Sequence, residues 1–280
     1  MAHVFHPTDF SPASEVAFAH ALKLALVSAG ALTVFHYAHG AEVEDEAHDF
    51  PRIRETLVAW GLLPAGSPRT AVADTLGLKV RKVAVGGSDP IDAISHYVGR
   101  HPADLIVLAT HQHNGLARWL YTEVAAPLAR RLSLPALFLP PDVPGFVDAR
   151  TGSVRLRRIV LPIDRHPNPQ AVIDAMPGLV AALTSEPVTV DLLHVGTTAT
   201  LPIVRPPEAG GITWTTQTVE GGVLAEILRA SAVEQADLLV LPTEGQRGFL
   251  DALRGSTTEQ VVRTASCPVL AVPVGVSGKS

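Results

Sequence analysis

The chain repeats itself, and that constrains its fold more than any other feature. ADLIVLAT at 103–110 returns as ADLLVLPT at 236–243, and LPALFLP at 134–140 returns as CPVLAVP at 267–273. Nearer the start, VFHPTDFSP at 4–12 matches IVLPIDRHP at 159–167, and LTVFHY at 32–37 matches VDLLHV at 190–195. The order of segments is kept, while the distance between copies shortens along the chain. One duplicated unit whose first copy carries a longer middle, around 40–78, accounts for both facts. For 280 residues, two domains are expected. The repeats place them at 1–142 and 155–276. The Pro-, Gly- and Asp-rich stretch 143–154 reads as a linker between them.

Within each copy, short apolar runs alternate with longer helical patterns. Strands are expected at 3–6, 32–37, 80–85, 104–109 and 135–139, and again at 158–162, 189–195, 213–219, 237–242 and 268–273. Helices are expected at 43–60, 89–100 and 122–132. Ser11-Pro12 and Asn168-Pro169 each open a helix, with the polar residue as cap and proline in the first turn, where its missing N–H costs nothing. Alternating β and α units predict an α/β fold: two similar five-stranded parallel sheets flanked by helices, joined by right-handed crossovers. Aromatics are scarce at 5%, so Ala, Val and Leu must fill the core. The last strands, 135–139 and 268–273, would be bare edges if each domain stood alone. They are expected to meet within the chain as an intrachain pseudo-dimer, and pairing of whole chains as a homodimer stays open.

Composition narrows the function classes. A net charge of −5 argues against nucleic acid, whose phosphates need a basic face. No run of about 18 apolar residues spans a membrane, and MAHVFHPTDF lacks the basic start and apolar stretch of a signal peptide. The single cysteine, Cys267, forbids an intrachain disulfide and reads as a buried thiol. These features together lead us to expect a cytoplasmic protein.

Ligands of open α/β sheets bind beyond the carboxyl ends of the strands. In the second copy, Asp164, Val195 and the segment from Pro242 to Gln260 stand there. That segment carries Gly245, Gly248 and Gly255, then Ser256 and Thr257, then a helical pattern: a phosphate cradle by composition, or a plain turn. At this point the residues resemble the universal stress protein family. Pro162-Ile163-Asp164, His194-Val195, Gly245 followed by Gly255-Ser256, and CPVLAV match its motifs. In the first copy, Pro7-Thr8-Asp9, His36-Tyr37, Gly87-Ser88-Asp89-Pro90 and LPALFL match in the same order.

The resemblance implies a Rossmann-like, adenine-nucleotide α-hydrolase-like fold. It also implies a stress-response binding module that holds ATP or a related adenine nucleotide. Carried over residue by residue, the nucleotide positions are Asp164, Val195, Gly245, Gly255, Ser256 and Thr257. Two departures stand out in the second copy: Pro242 replaces the motif's first glycine, and Gly221-Gly222-Val223 lacks the usual proline. The first copy departs further, with Ala109, Gln112, Thr122 and Glu123 at the motif positions, so nucleotide is expected in the second copy alone. Asp9 is expected to cap a turn.

The alternatives are a non-nucleotide interaction scaffold with both pockets degenerate, and a metal or small-ligand site using His6, His36, His111 and His113. No catalytic residue can be named, because no nucleophile stands beside a general base. The acidic run Glu42, Glu44, Asp45, Glu46 and Asp49 reads as a solvated helix start, and Trp60, Trp119 and Trp214 as packing residues.

Overall fold

In the computed structural model, Ser11 stands just outside the first helix in an extended conformation, its hydroxyl accepting the Ser14 N–H at 3.2 Å. Pro12 opens that helix. The structure describes residues 2–39, 50–87, 89–110, 134–244 and 257–274, and elements are numbered among these. The first copy runs β1 (His3–Thr8), α1 (Pro12–Val27), β2 (Ala31–His39), α2 (Ile53–Ala59), α3 (Ala71–Asp74), β3 (Lys79–Gly87), α4 (Pro90–Arg100), β4 (Leu105–Ala109) and β5 (Ala136–Leu139). The second runs β6 (Arg158–Pro162), α5 (Gln170–Leu183), β7 (Val188–Val195), β8 (Ile212–Val219), α6 (Val223–Val233), β9 (Leu238–Glu244), α7 (Thr257–Thr264) and β10 (Val269–Val274). Among the described residues each copy contributes five strands, as its apolar runs predict.

Two expected helices differ. The pattern read over 43–60 yields only Ile53–Ala59 within the described residues. Pro51 precedes it, and a proline disfavours helix in the residue before it. The helix expected at 122–132 and the acidic run lie outside the described residues. In the second copy the helix is assigned from Gln170, yet Asn168 Oδ1 accepts the Gln170 N–H at 2.9 Å. The cap works where the sequence put it; only the assigned boundary moves by a residue.

By contact the chain divides into two compact units. The first is Met1–Leu132 with Val147–Val154; the second is Ser133–Phe146 with Arg155–Ser280. The first unit's strands lie in the order β3-β2-β1-β4, all parallel. The second unit's order is β5-β10-β9-β6-β7-β8, parallel except at β5. The last strands of the two copies do meet: β5 runs antiparallel to β10, with Val269 opposite Phe138 and Ala271 opposite Ala136. Each covers an edge of the other. The strands facing helices read as near-continuous buried runs, such as Leu238 to Leu241, which a sheet covered on both faces demands. Among the described residues no helix is long and apolar enough to cross a membrane.

The stretch read as a linker is held by specific bonds. Val147–Val154 closes on itself through a bridge between its end residues and packs against the first unit. Trp60 Nε1–H donates to Ala149 O at 3.0 Å. Its indole ring fills the space where Gly152 (φ +67) would carry a Cβ. His20, fully buried on α1, donates from Nδ1 to Val16 O at 2.8 Å and accepts the Val147 N–H on Nε2 at 3.1 Å. That arrangement requires the neutral ring.

Burial pushes His20 and His6 down from 6.5 to about 4. Because the folded value lies below the unfolded one, the stability held by the neutral rings is complete above about pH 6.5 and is lost as pH falls towards 4. His20→Ala should cost about 2–4 kcal/mol at pH 7.5, from a lost contact and an orphaned buried N–H. It should also flatten the loss of stability between pH 6.5 and pH 4. Urea unfolding across that range checks both, and an unchanged slope in the variant would refute the assignment.

Candidate functional site

β6 and β9 pair over only two positions, Ile159 with Leu238 and Val160 with Leu239. β7 lies on the other flank of β6. This is the point where strand order reverses, and crossover connections leave it in opposite directions. Beyond it a cleft of about 440 Å³ opens at the carboxyl ends of β6, β7 and β9. Its apolar floor includes Ile163, Leu193, Ile227 and Leu241, all buried.

Of the residues singled out in the sequence, Asp164, Val195 and Thr257 come together on this cleft. Asp164 and Thr257 are exposed at its rim. Gly245, Gly255 and Ser256 lie outside the described residues, but Glu244 and Thr257 on either side of that segment both line the cleft. His166, Thr243 and Glu244 line it as well and were not singled out. Thr243 and Glu244 close β9 and His166 stands four residues past β6, and this place near strand ends was their only signal. With Asp164 and Glu244, the described wall carries two carboxylates.

Pro242 lines the cleft from within β9. The Leu239 N–H donates to Pro268 O at 2.9 Å, so odd-numbered residues of β9 turn their backbone groups to β10 and even-numbered ones turn towards β6. Pro242 therefore directs its donor-less nitrogen to the side of β6, past the last β6–β9 pair. A proline inside a sheet normally removes a ladder bond; here the ladder has already ended and none is lost. What is lost is an N–H facing the cleft.

The rim is braced from behind. His194, buried at the end of β7, donates from Nδ1 to Ile163 O at 3.1 Å, and its Nε2 lies 2.9 Å from Thr200 Oγ1. This ties the residue before Asp164 to the long connection between β7 and β8. Arg165 Nη2 donates to Ala199 O at 2.7 Å on the same connection. Gln170 and Arg205 exchange a reciprocal pair of bonds, each 2.9 Å. A Cβ on Gly196 would stand 2.7 Å from both His194 Nε2 and Thr200 Oγ1. None of this long-range bracing has a local sequence signature.

The chain matches the universal stress protein family over residues 1–140 and 203–273. It belongs to that family. A universal stress protein of Methanocaldococcus jannaschii is 34% identical over 103 residues, 36% of this chain. The match spans 61% of that relative's length. Among solved structures, a universal stress protein from Archaeoglobus fulgidus superposes with a TM-score of 0.61 at 16% identity, over 99% of this chain and 98% of that one. A functionally unknown protein from Pseudomonas aeruginosa PAO1 gives 0.60 at 14% identity, over 98% and 92%. At such identities the likeness is one of fold.

In the first unit of this universal stress protein, the described residues at the corresponding strand ends bond and stack among themselves. Asp9 Oδ1 accepts both the Ser11 N–H (3.1 Å) and the Ser11 hydroxyl (2.6 Å), the turn cap expected of it. Phe10, at φ 61, stacks on the His36 ring with centroids 4.2 Å apart, and Phe50 meets Phe10 edge-on at 5.4 Å. His6 donates from Nδ1 to Val107 O at 2.9 Å, and His36 from Nδ1 to Thr8 O at 2.8 Å. Among the described residues no group of three or more His, Cys, Asp or Glu is placed to hold a metal ion; His111 and His113 lie outside them. Cys267 is buried, and desolvation pushes its thiol up to about 12.

Two outcomes follow. Cys267 should resist a thiol reagent at pH 8 in the folded protein and react fully once urea unfolds it; rapid native labelling would contradict its burial. Gly196→Ala should cost about 1–3 kcal/mol in thermal or urea unfolding, because the clash displaces a pinned loop; a neutral effect would show that the brace yields freely.

Proposed function

We propose that the second unit binds an adenine nucleotide in this cleft, and that the protein is a stress-response binding and regulatory module rather than a dedicated enzyme. The observation that carries this reading is the convergence of Asp164, Val195 and Thr257. These are three positions which the family resemblance assigns to nucleotide, far apart in sequence, and one cleft at the switch point gathers them. Gly245, Gly255 and Ser256, outside the described residues, fall in the segment that joins two cleft residues, Glu244 and Thr257. The apolar floor suits a purine face, and α7 begins at the rim, where a helix N-terminus favours an anion. The first unit, with Asp9 already satisfied by Ser11, is assigned no nucleotide. The two carboxylates of the described wall favour a rival reading, an interaction scaffold without nucleotide.

Titration calorimetry with ATP and magnesium separates them. The expected result is one site per chain, weakened at least about tenfold by Asp164→Ala, since hydrogen bonds to charged groups are worth about 1.5–3 kcal/mol. Pro242→Gly restores an N–H directed at the cleft and should tighten binding by about one to two orders of magnitude on the same grounds. Gly255→Val should abolish it. If neither the natural protein nor Pro242→Gly binds ATP, the scaffold reading stands; two sites per chain would return the first unit to consideration.

A further inference from the structure

Among the described residues β8 is the outermost strand of the second unit, paired with β7 alone. The Val188 N–H donates to Gly211 O and the Gly196 N–H to Val219 O, both at 2.8 Å. Odd-numbered residues of β8 therefore turn their backbone groups inward to β7. Ile212, Trp214, Thr216 and Thr218 turn theirs outward. The Ile212 N–H is taken locally by Ala209 O at 3.3 Å. Among the described residues, the outward N–H groups of Trp214, Thr216 and Thr218 have no backbone partner.

Soluble proteins guard such an edge with charge, proline or a bulge. The corresponding outer strand of the first unit, β3, does so: its sequence KVRKVAVGG carries Lys79, Arg81 and Lys82, all exposed. β8 reads ITWTTQTV. It has no charged residue and no proline, and β-branched side chains dominate. None of its positions is fully buried.

We propose that β8 is a self-association edge, joining antiparallel to β8 of a second copy of this chain about a twofold axis through Thr216. The geometry selects this register. A twofold relating two adjacent antiparallel strands stands perpendicular to the sheet and keeps each face on its own side, so outward residues must meet outward residues. Centring the axis on Thr216 pairs Thr216 with its own copy and Trp214 with Thr218. That uses the three outward residues whose N–H groups are free. Between them, Thr215 faces Gln217 and Thr213 faces Val219. No pair sets like charges together, and Trp214 against Thr218 is an aromatic–β-branched pair of the kind that stabilises sheets. The same operation at β3 would oppose cations. A second copy thus fits β8 and is rejected by β3. No residue of β8 lines the cleft, so the association stands independently of the nucleotide reading.

Analytical ultracentrifugation of the full chain, from on the order of 1 to 100 µM, tests it; a single short edge predicts association in the micromolar range. The natural protein should show a concentration-dependent dimer. Thr216→Pro removes an outward N–H and adds bulk at a site where an edge tolerates proline, and should weaken association at least about tenfold. Thr216→Lys, which sets two cations together on the axis, should do the same and lose part of its effect in high salt. Circular dichroism and unfolding midpoints close to those of the natural protein establish that each variant folds. A monomer throughout the range overturns the proposal. So does a dimer equally strong in folded Thr216→Lys, which would place the interface elsewhere.

Discussion

The pairing of β6 with β9 starts firmly and stops early, and the geometry of the second unit follows from that. At its amino end, Asp237 Oδ2 accepts the N–H groups of Arg157 (2.7 Å) and Arg158 (3.0 Å), while the Asp237 N–H donates to Arg158 O at 2.9 Å. One carboxylate thus fixes the register of two strands that are remote in sequence. Sheet twist then carries β6 and β9 apart after two pairs. A gap of this kind would expose backbone groups unless something filled it. Apolar side chains fill its base and Pro242 removes one donor from its wall. The remainder is the cleft.

Arg158 reinforces the same corner. It pairs with Glu234 at the end of α6 and lies 3.6 Å from Asp191, a buried carboxylate that also accepts from the Thr215 hydroxyl. A carboxylate buried in the sheet is tolerable only with such partners. The chain links β6, β7, β8 and α6 from below, away from the cleft. The amino end of the sheet is therefore tied by charge, and the carboxyl end is left to loops that can differ between copies without unsettling the strands.

That division explains what could be read in advance. Strand positions, the duplication and the caps at Ser11 and Asn168 were legible because each depends on neighbours in sequence: an apolar run, a polar residue before a proline. The meeting of 135–139 with 268–273 was legible because two bare apolar edges in one chain have few other ways to be covered. Asp164 and Val195 could be placed on one cleft because they stand at strand ends, which converge at the switch point, and Thr257 because it opens the helix that follows β9. The braces were not legible. His194 with Thr200, Arg165 with Ala199, and Gln170 with Arg205 are contacts between a sheet and an irregular connection, and no periodicity encodes them. Nor could 147–154 be recognised as docked, since its composition is that of a linker and its hold on the first unit comes from His20 and Trp60.

The duplication also serves as an internal control on the histidines. His36 and His194 occupy the same place in the two copies, and each donates from Nδ1 to the carbonyl just before the first-strand aspartate, Thr8 O in one and Ile163 O in the other. Asp104 likewise accepts the His3 N–H at 2.7 Å, as Asp237 accepts that of the matching Arg158 at 3.0 Å. What recurs with the same partner in both copies belongs to the scaffold, whatever its chemistry could do elsewhere. What differs at matched positions marks divergence of the sites: Phe10 against Arg165, Tyr37 against Val195, Ala109 against Pro242. In the first copy the substituted Phe10 stacks on His36, and Asp9, the unchanged match of Asp164, is bonded by Ser11. In the second, Arg165 reaches away to hold the connection, and Asp164 stays exposed at the rim. Among the described residues, the same skeleton thus sets these side chains against one another in the first copy and around an open cleft in the second.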